Sequence, residues 1–268
     1  MPSRNVDGRI ADELAALGVR EGGVLLVHSS LRAICPALRR HGWWPAPSGA
    51  ELVIRGLLKA LGDRGTLLAP ALSFMTVGAR QPVFDVLRTP SCVGALTEHF
   101  RKRDGSLRSV HPTHSVCGVG PRAEPLLRDH GLDRTPCGEH SPFRLLPEVD
   151  GQLLFLGCGL RPNTSMHAVE ESLDPTPTYY FGPQVIYRIL LPGGQERSVA
   201  MRSHDFLGWR QRYDRLADLM GPPDLRTGTV LDATCHLLDA RAMWRTARAA
   251  YGRDSLHFVE PLQPAMDI

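Results

Sequence analysis

"GQLLFLGCGLRPNTSMHAVEES", residues 151–172, decides how this chain is read. An apolar run bounded by glycines on both sides reads as a buried strand, and the polar segment after Gly159 reads as the approach to a helix that starts at or just after Asn163-Thr164. On such a helix His167 and Glu170 fall three positions apart on one face, and Glu171 sits four from His167. A carboxylate that accepts the N–H of one imidazole nitrogen fixes the tautomer and raises the basicity of the other, which suits general-base work near neutral pH. The same spacing also describes a solvated first helical turn, where acidic residues sit well against the helix dipole. Spacing alone leaves both readings open.

Working outward, helices and short apolar runs alternate. "VDGRIADELAALGV" (6–19) carries Ile10, Leu14 and Leu17 at helical spacing, and "GGVLLVHSS" (22–30) is a short buried strand followed by polar loop. "SGAELVIRGLLKALGDRG" (48–65) predicts a helix begun at Ser48, and "GTLLAPALSF" (65–74) predicts the next strand. "FDVLRTPSCVGALTEHFRKRDG" (84–105) predicts a helix opening near Thr89-Pro90-Ser91, where a hydroxyl cap and an early proline are expected. Residues 179–204 read as an antiparallel hairpin turning at Gly193-Gly194, and two helices are expected in 205–220 and 239–254. This rhythm implies an α/β fold with a central mixed sheet flanked by helices. With no internal repeat and no low-complexity linker, residues 1–268 read as a single compact domain.

Composition narrows the function. The 268 residues include 43% hydrophobic ones, enough for a substantial core, and 31 basic against 28 acidic side chains give a net charge of +3 without a polybasic stripe. Nucleic acid and membrane surfaces are therefore not expected partners, and the small positive excess suits an anionic small molecule. The N-terminal stretch mixes charges into an amphipathic pattern, and no run approaches a membrane span of roughly 18–20 apolar residues. Six isolated cysteines without a C-x-x-C pair favour reduced thiols and a cytoplasmic protein. The sequence carries no signal for an oligomeric state.

Two further segments hold polar clusters. "HSSLR" (28–32) follows the first strand, and its serines, backbone donors and Arg32 could hold phosphate oxygens, although Ser-Ser is also an ordinary helix cap. "HPTHSVCGVG" (111–120) gathers His111, Thr113, His114 and Ser115. Two histidines three apart suggest a metal, but Pro112 restricts their geometry and no third ligand is fixed by spacing, so a hydroxyl-rich ligand loop is expected and no metal. The alternative is a metal-dependent hydrolase built on His111, His114 and His167. No G-x-G-x-x-G, Walker or G-x-S-x-G pattern is present.

Taken in order, "HSSLR", "GTLLAPALSF", "FDVLRTPSCVGALTEHFR", "RSVHPTHSVCGVG", "TPCGEHSPF", "LGCGLRPNTSMHAVEE" and the late "RSHDF" and "YDRL" resemble the aminoglycoside 3-N-acetyltransferase family, from about residue 10 to about residue 260. The resemblance implies a family-specific α/β fold, distinct from the common GNAT acetyltransferases, and an acyltransferase that moves an acetyl group from acetyl-coenzyme A directly to an amine. That amine is the 3-amino group of an aminoglycoside or belongs to another amine metabolite. The resemblance makes His167 the general base, Glu170 its orienting carboxylate and Thr164 a supporting hydroxyl. It points to Ser29, Ser30 and Leu31 for coenzyme A phosphates, and to Ser73, His111, Thr113 and Ser115 along the pantetheine arm. A polycationic acceptor would call for carboxylates, for which Asp85, Glu139, Glu171 and Asp174 are candidates, with Tyr179 and Tyr180 able to pack on a sugar face.

Overall fold

The strand expected in residues 151–159 is Gln152–Leu156, and it lies inside a seven-stranded sheet. The computed structural model of the protein describes residues 6–40, 42, 49–177, 180–206 and 208–262. In chain order the elements are α1 (Val6–Leu17), β1 (Val24–Ser29), α2 (Leu31–Arg40), α3 (Gly49–Leu61), β2 (Thr66–Pro70), β3 (Val83–Asp85), α4 (Ala95–Lys102), β4 (Leu107–Arg108), β5 (Val116–Val119) and α5 (Ala123–Leu127). Then come α6 (Pro142–Leu145), β6 (Gln152–Leu156), α7 (Ser165–Glu171), β7 (Phe181–Leu190), β8 (Glu196–His204), β9 (Trp209–Gln211), β10 (Leu225–Val230), β11 (Ala233–Asp239), α8 (Ala240–Arg253) and β12 (Val259–Pro261).

The large sheet has the order β10-β11-β6-β1-β2-β5-β4. β1 pairs in parallel with β6 and with β2, and the outer pairs are antiparallel, so the sheet is mixed. The central strands are apolar on both faces because both faces are covered. Leu25, Val27, Leu154 and Leu156 pack with Ile10, Ile34 and Ile54 of α1, α2 and α3. Val24, Leu26, Leu153 and Phe155 face the other way and pack with Val169 of α7 and Met243 of α8. This period-two division is what a buried strand imposes on its side chains. A smaller sheet, β3-β7-β8, has its own apolar cluster of Phe84, Tyr187, Ile189 and Met201.

The helices α1, α3, α7 and α8 and the hairpin β7–β8 stand where the sequence places them; Ser48 lies outside the described residues. Other expectations need correction. The polar loop expected after β1 is instead α2, which forms despite an internal Pro36 because Ile34, Ala37 and Leu38 dock one face into the core. α4 opens at Ala95, later than Thr89-Pro90-Ser91 suggests, and Gly94 caps it without a side-chain bond. The Thr89 hydroxyl accepts from the Asp85 amide at 2.8 Å, and the Ser91 amide donates to Glu98 Oε2 at 2.8 Å, so these residues build the preceding turn. The helix expected over 205–220 is instead β9 followed by a short 3₁₀ turn, Tyr213–Asp218, because Trp209–Gln211 pairs antiparallel with Val259–Pro261. The hairpin β10–β11, whose second strand covers one side of β6, has no counterpart among the sequence expectations.

Candidate active site

β1, β2 and β6 end on the same side of the sheet, and their carboxyl ends open on a cavity of about 700 Å³. Here the chain order reverses, with β2 on one flank of β1 and β6 on the other, the place where open α/β sheets form a crevice. Val27, His28, Ser29 and Pro70 come from the strand ends, Cys158, Arg161 and Thr164 from the β6–α7 turn, and Thr113 and His114 from the loop before β5. Ser203, His204 and Phe206 enter from the end of β8, Tyr213 from the 3₁₀ turn, and His167 from α7.

The tight turn after β6 sets α7 in place. Gly157 has φ +69°, and a Cβ there would lie 2.9 Å from Ala33 Cβ and 3.1 Å from Ser30 O, so α2 and this turn meet backbone to backbone. Thr164 then caps α7, its carbonyl accepting from the His167 amide at 3.0 Å. His167 and Glu170 project from one face of the helix, with Nδ1 to Oε2 at 3.1 Å.

Two tyrosines far away in sequence complete the pair. Tyr213 Oη lies 2.8 Å from His167 Nδ1 and 2.8 Å from Glu170 Oε2. Tyr251 Oη donates to Glu170 Oε1 at 2.6 Å, so a fully buried carboxylate has both oxygens bonded. Tyr213 has one proton. Donated to Glu170, it leaves the phenol oxygen and Oε2 to accept from Nδ1–H, and all four groups are satisfied. The lone pair then resides on Nε2, and a ring whose Nδ1 faces buried partners keeps Nε2 for the cavity it lines. Tyr180 Oη donates to the His167 carbonyl at 2.9 Å and stiffens the backbone beneath the ring.

The surrounding imidazoles are held neutral. Burial, then the charge of His167, pushes His28 down to about 3; it stacks on Phe155 with centroids 4.9 Å apart. Burial pushes His114 and His204 well below their ordinary value. Burial also raises the Glu171 carboxyl to about 8; its Oε1 contacts His204 Nε2 at 2.7 Å and the Cys137 amide at 2.9 Å.

The structure therefore gathers His167, Glu170, Thr164, Ser29 and Thr113 at or beside one cavity and leaves other sequence candidates out of it. Ser30 and Leu31 stand at the start of α2, next to Ser29, with the Ser30 amide bonded to the Leu156 carbonyl at 2.9 Å. Ser73 and Ser115 are buried and turned inward: their hydroxyls donate to Pro112 O at 2.5 Å and Ala71 O at 2.8 Å. His111 is also internal, its Nδ1 accepting from the His114 amide at 3.0 Å and its ring stacked on His130. The metal trio His111, His114 and His167 is thus not formed, because His111 serves its own loop. Asp85 accepts from the Leu87 and Arg88 amides at 2.9 Å in a turn away from the cavity, Asp174 and Glu139 are exposed elsewhere, and Glu171 lies behind His204. Tyr179 lies outside the described residues. Among the described residues no Asp or Glu lines the cavity, and Arg161 does. Sequence reasoning missed Tyr213, Tyr251 and His204 as parts of this site; Tyr213 falls in the motif "YDRL" and His204 in "RSHDF", neither with a role attached, and Tyr251 in no motif at all.

Comparison with known proteins gives the lineage. The family model for aminoglycoside 3-N-acetyltransferase matches residues 26–251. Aminoglycoside N(3)-acetyltransferase IV of Salmonella is 32% identical over 95% of this chain and 90% of its own length. Among solved structures, the apoenzyme of aminoglycoside acetyltransferase AAC(3)-IVa superposes with a TM-score of 0.72 at 30% identity, covering 97% of this chain and 92% of that one. AAC-IIIb with CoASH superposes with a TM-score of 0.76 at 25% identity, covering 92% and 96%. Ordered motifs, mixed sheet and whole-chain similarity agree: the chain belongs to the aminoglycoside 3-N-acetyltransferase family and is an acyltransferase.

Proposed function

We propose that this enzyme moves the acetyl group of acetyl-coenzyme A to an amine by direct transfer, with His167 Nε2 as the general base. The observation that carries the reading is the bonded Nδ1 side of His167, where Tyr213 and Glu170 leave Nε2 as the nitrogen able to take a proton. An ammonium cannot attack a carbonyl. As the amine nitrogen bonds the thioester carbon, its proton passes to Nε2, and the buried Glu170 carboxylate stabilises the imidazolium that results. The sulfur leaves as coenzyme A thiolate.

The chain has suitable surfaces for the donor. The start of α2 offers the Leu31 amide, beside the Ser29 and Ser30 hydroxyls, to phosphate oxygens. Val27, Pro70, Leu72, Phe74 and Val93 give the cavity an apolar wall along which a pantetheine arm can lie, with Thr113 as its polar neighbour. Ser73, Ser115 and His111 support this wall from behind.

The 3-amino group of an aminoglycoside is the acceptor to which family membership points. A second reading, another amine metabolite, is favoured by the lining itself, where Arg161 stands and no described carboxylate meets a polycation. Thiol release from acetyl-coenzyme A against aminoglycosides and singly charged amines tests both. Turnover of some amine, lost by about 10²–10⁴ in His167→Ala with coenzyme A affinity kept, is the expected result. Undiminished turnover in His167→Ala removes the base from the scheme.

A further inference from the structure

Three imidazoles meet at the wall of the cavity. The ring centroids of His167 and His204 are 4.6 Å apart, those of His114 and His204 4.8 Å, and those of His114 and His167 6.1 Å. One ring nitrogen from each lies within 4.8 Å of the other two.

The bonding pattern identifies which nitrogens are spare. His167 turns Nδ1 to Tyr213 and Glu170, His114 holds Thr113 Oγ1 with Nδ1 at 2.9 Å, and His204 meets Glu171 Oε1 with Nε2. On the other edge of His204, Nδ1 is buried and has no hydrogen-bond partner among the described residues. An orphaned buried polar atom of this kind is destabilising. Each ring is thus held through one nitrogen by a carboxyl or hydroxyl group, and its other nitrogen is not engaged in that bond. That is how outer partners orient the histidines of a metal centre.

We propose that His114, His167 and His204 form a binding site for a divalent cation of the zinc class, and that the bound ion switches the enzyme off by occupying the lone pair of His167 Nε2. The binding stands on geometry alone, whereas the inhibition rests on His167 being the base. An all-imidazole set favours zinc, copper or nickel over magnesium or calcium, which prefer oxygen. Zn–N bonds of about 2.0–2.1 Å require ring nitrogens roughly 3.4 Å apart, a modest closing from the present spacing. A four-coordinate ion held by these three rings would take its fourth ligand from water.

Metal-stripped protein titrated with Zn²⁺ against a chromophoric chelator, and with Co²⁺ followed by visible absorption, tests the site. One ion per chain, a four-coordinate cobalt spectrum, and turnover that falls with occupancy and returns with EDTA are expected. His114→Gln removes a ligand and Glu171→Leu removes an anchor; each should loosen zinc by about tenfold or more while near-ultraviolet circular dichroism stays that of the parent. The absence of a cobalt band, or zinc binding indifferent to both substitutions, overturns the site. Stoichiometric binding by the cluster with full turnover overturns the inhibition, and with it the placement of the base. A protein that binds zinc as described but acetylates no amine leaves the site standing and removes the proposed reaction.

Discussion

The phenol oxygen of Tyr251 lies 2.6 Å from Oε1 of Glu170, a residue 81 positions earlier in the chain. This contact ties the last helix to the carboxylate behind the His167 imidazole. Tyr251→Phe leaves Oε1 buried without this donor, and a loss of about 1–3 kcal/mol is expected, read as a lower midpoint in urea unfolding. Unchanged stability would mean that water replaces the phenol.

Tyr213→Phe removes the hydroxyl shared by His167 Nδ1 and Glu170 Oε2. Without it the ring keeps its carboxylate but loses its second anchor. Turnover should drop by about tenfold, a fraction of what a general base supplies. Coenzyme A affinity, measured by calorimetry, should not change. A loss confined to KM would assign Tyr213 to substrate binding.

Burial holds His28 down at about 3 and His130 at about 4, against an ordinary 6.5 when unfolded. Below pH 6.5 the unfolded chain therefore binds protons that the folded chain refuses. The stability these groups allow is full above 6.5 and declines as pH falls toward 4 and 3, by up to about 1.4 kcal/mol per pH unit for each. Urea midpoints at pH 7 and pH 5 should differ accordingly. His28→Phe, which keeps the stack on Phe155, should flatten the decline.

Glu171 slopes the other way. Its carboxyl is raised by burial to about 8, so between pH 4.5 and 8 the unfolded chain gives up a proton that the folded chain keeps, and stability falls as pH rises. Glu171→Gln removes the ionisation and should be more stable than the parent at pH 9, on the order of a few kcal/mol, with the two converging near pH 5. Parallel stability curves for parent and variant would contradict this.

Gly157→Ala places a methyl against Ala33 and the Ser30 carbonyl at a positive φ. A cost of about 1–3 kcal/mol is expected, together with reduced turnover, because the same turn positions α7. Thermal unfolding and thiol release measure the two effects separately.

Local pattern carries much of this architecture. Ile10, Leu14 and Leu17 fix α1 by their period and Leu153–Leu156 fix β6 by their apolarity; the i, i+3 spacing makes His167 and Glu170 neighbours, while the family resemblance alone attaches roles to them. What escapes depends on partners remote in sequence. Trp209–Gln211 is a strand through Val259–Pro261, and α2 overcomes Pro36 because Ile34, Ala37 and Leu38 have a core to enter. Tyr213 and Tyr251 carry no local signal that they reach Glu170. Ser73 and Ser115 look like ligand hydroxyls in a string of letters, but a buried loop that must bond Pro112 O and Ala71 O uses them first.

The position of β11 has a consequence for biosynthesis. Ala233–Asp239 covers the second edge of β6, so while the intervening residues are made the nascent chain presents Leu153–Leu156 as a bare apolar edge. At roughly 5–20 residues per second that interval lasts several seconds on the ribosome. Tyr251 emerges later still. In that interval the β6 edge is open to pairing with another chain, which the arrival of β11 closes.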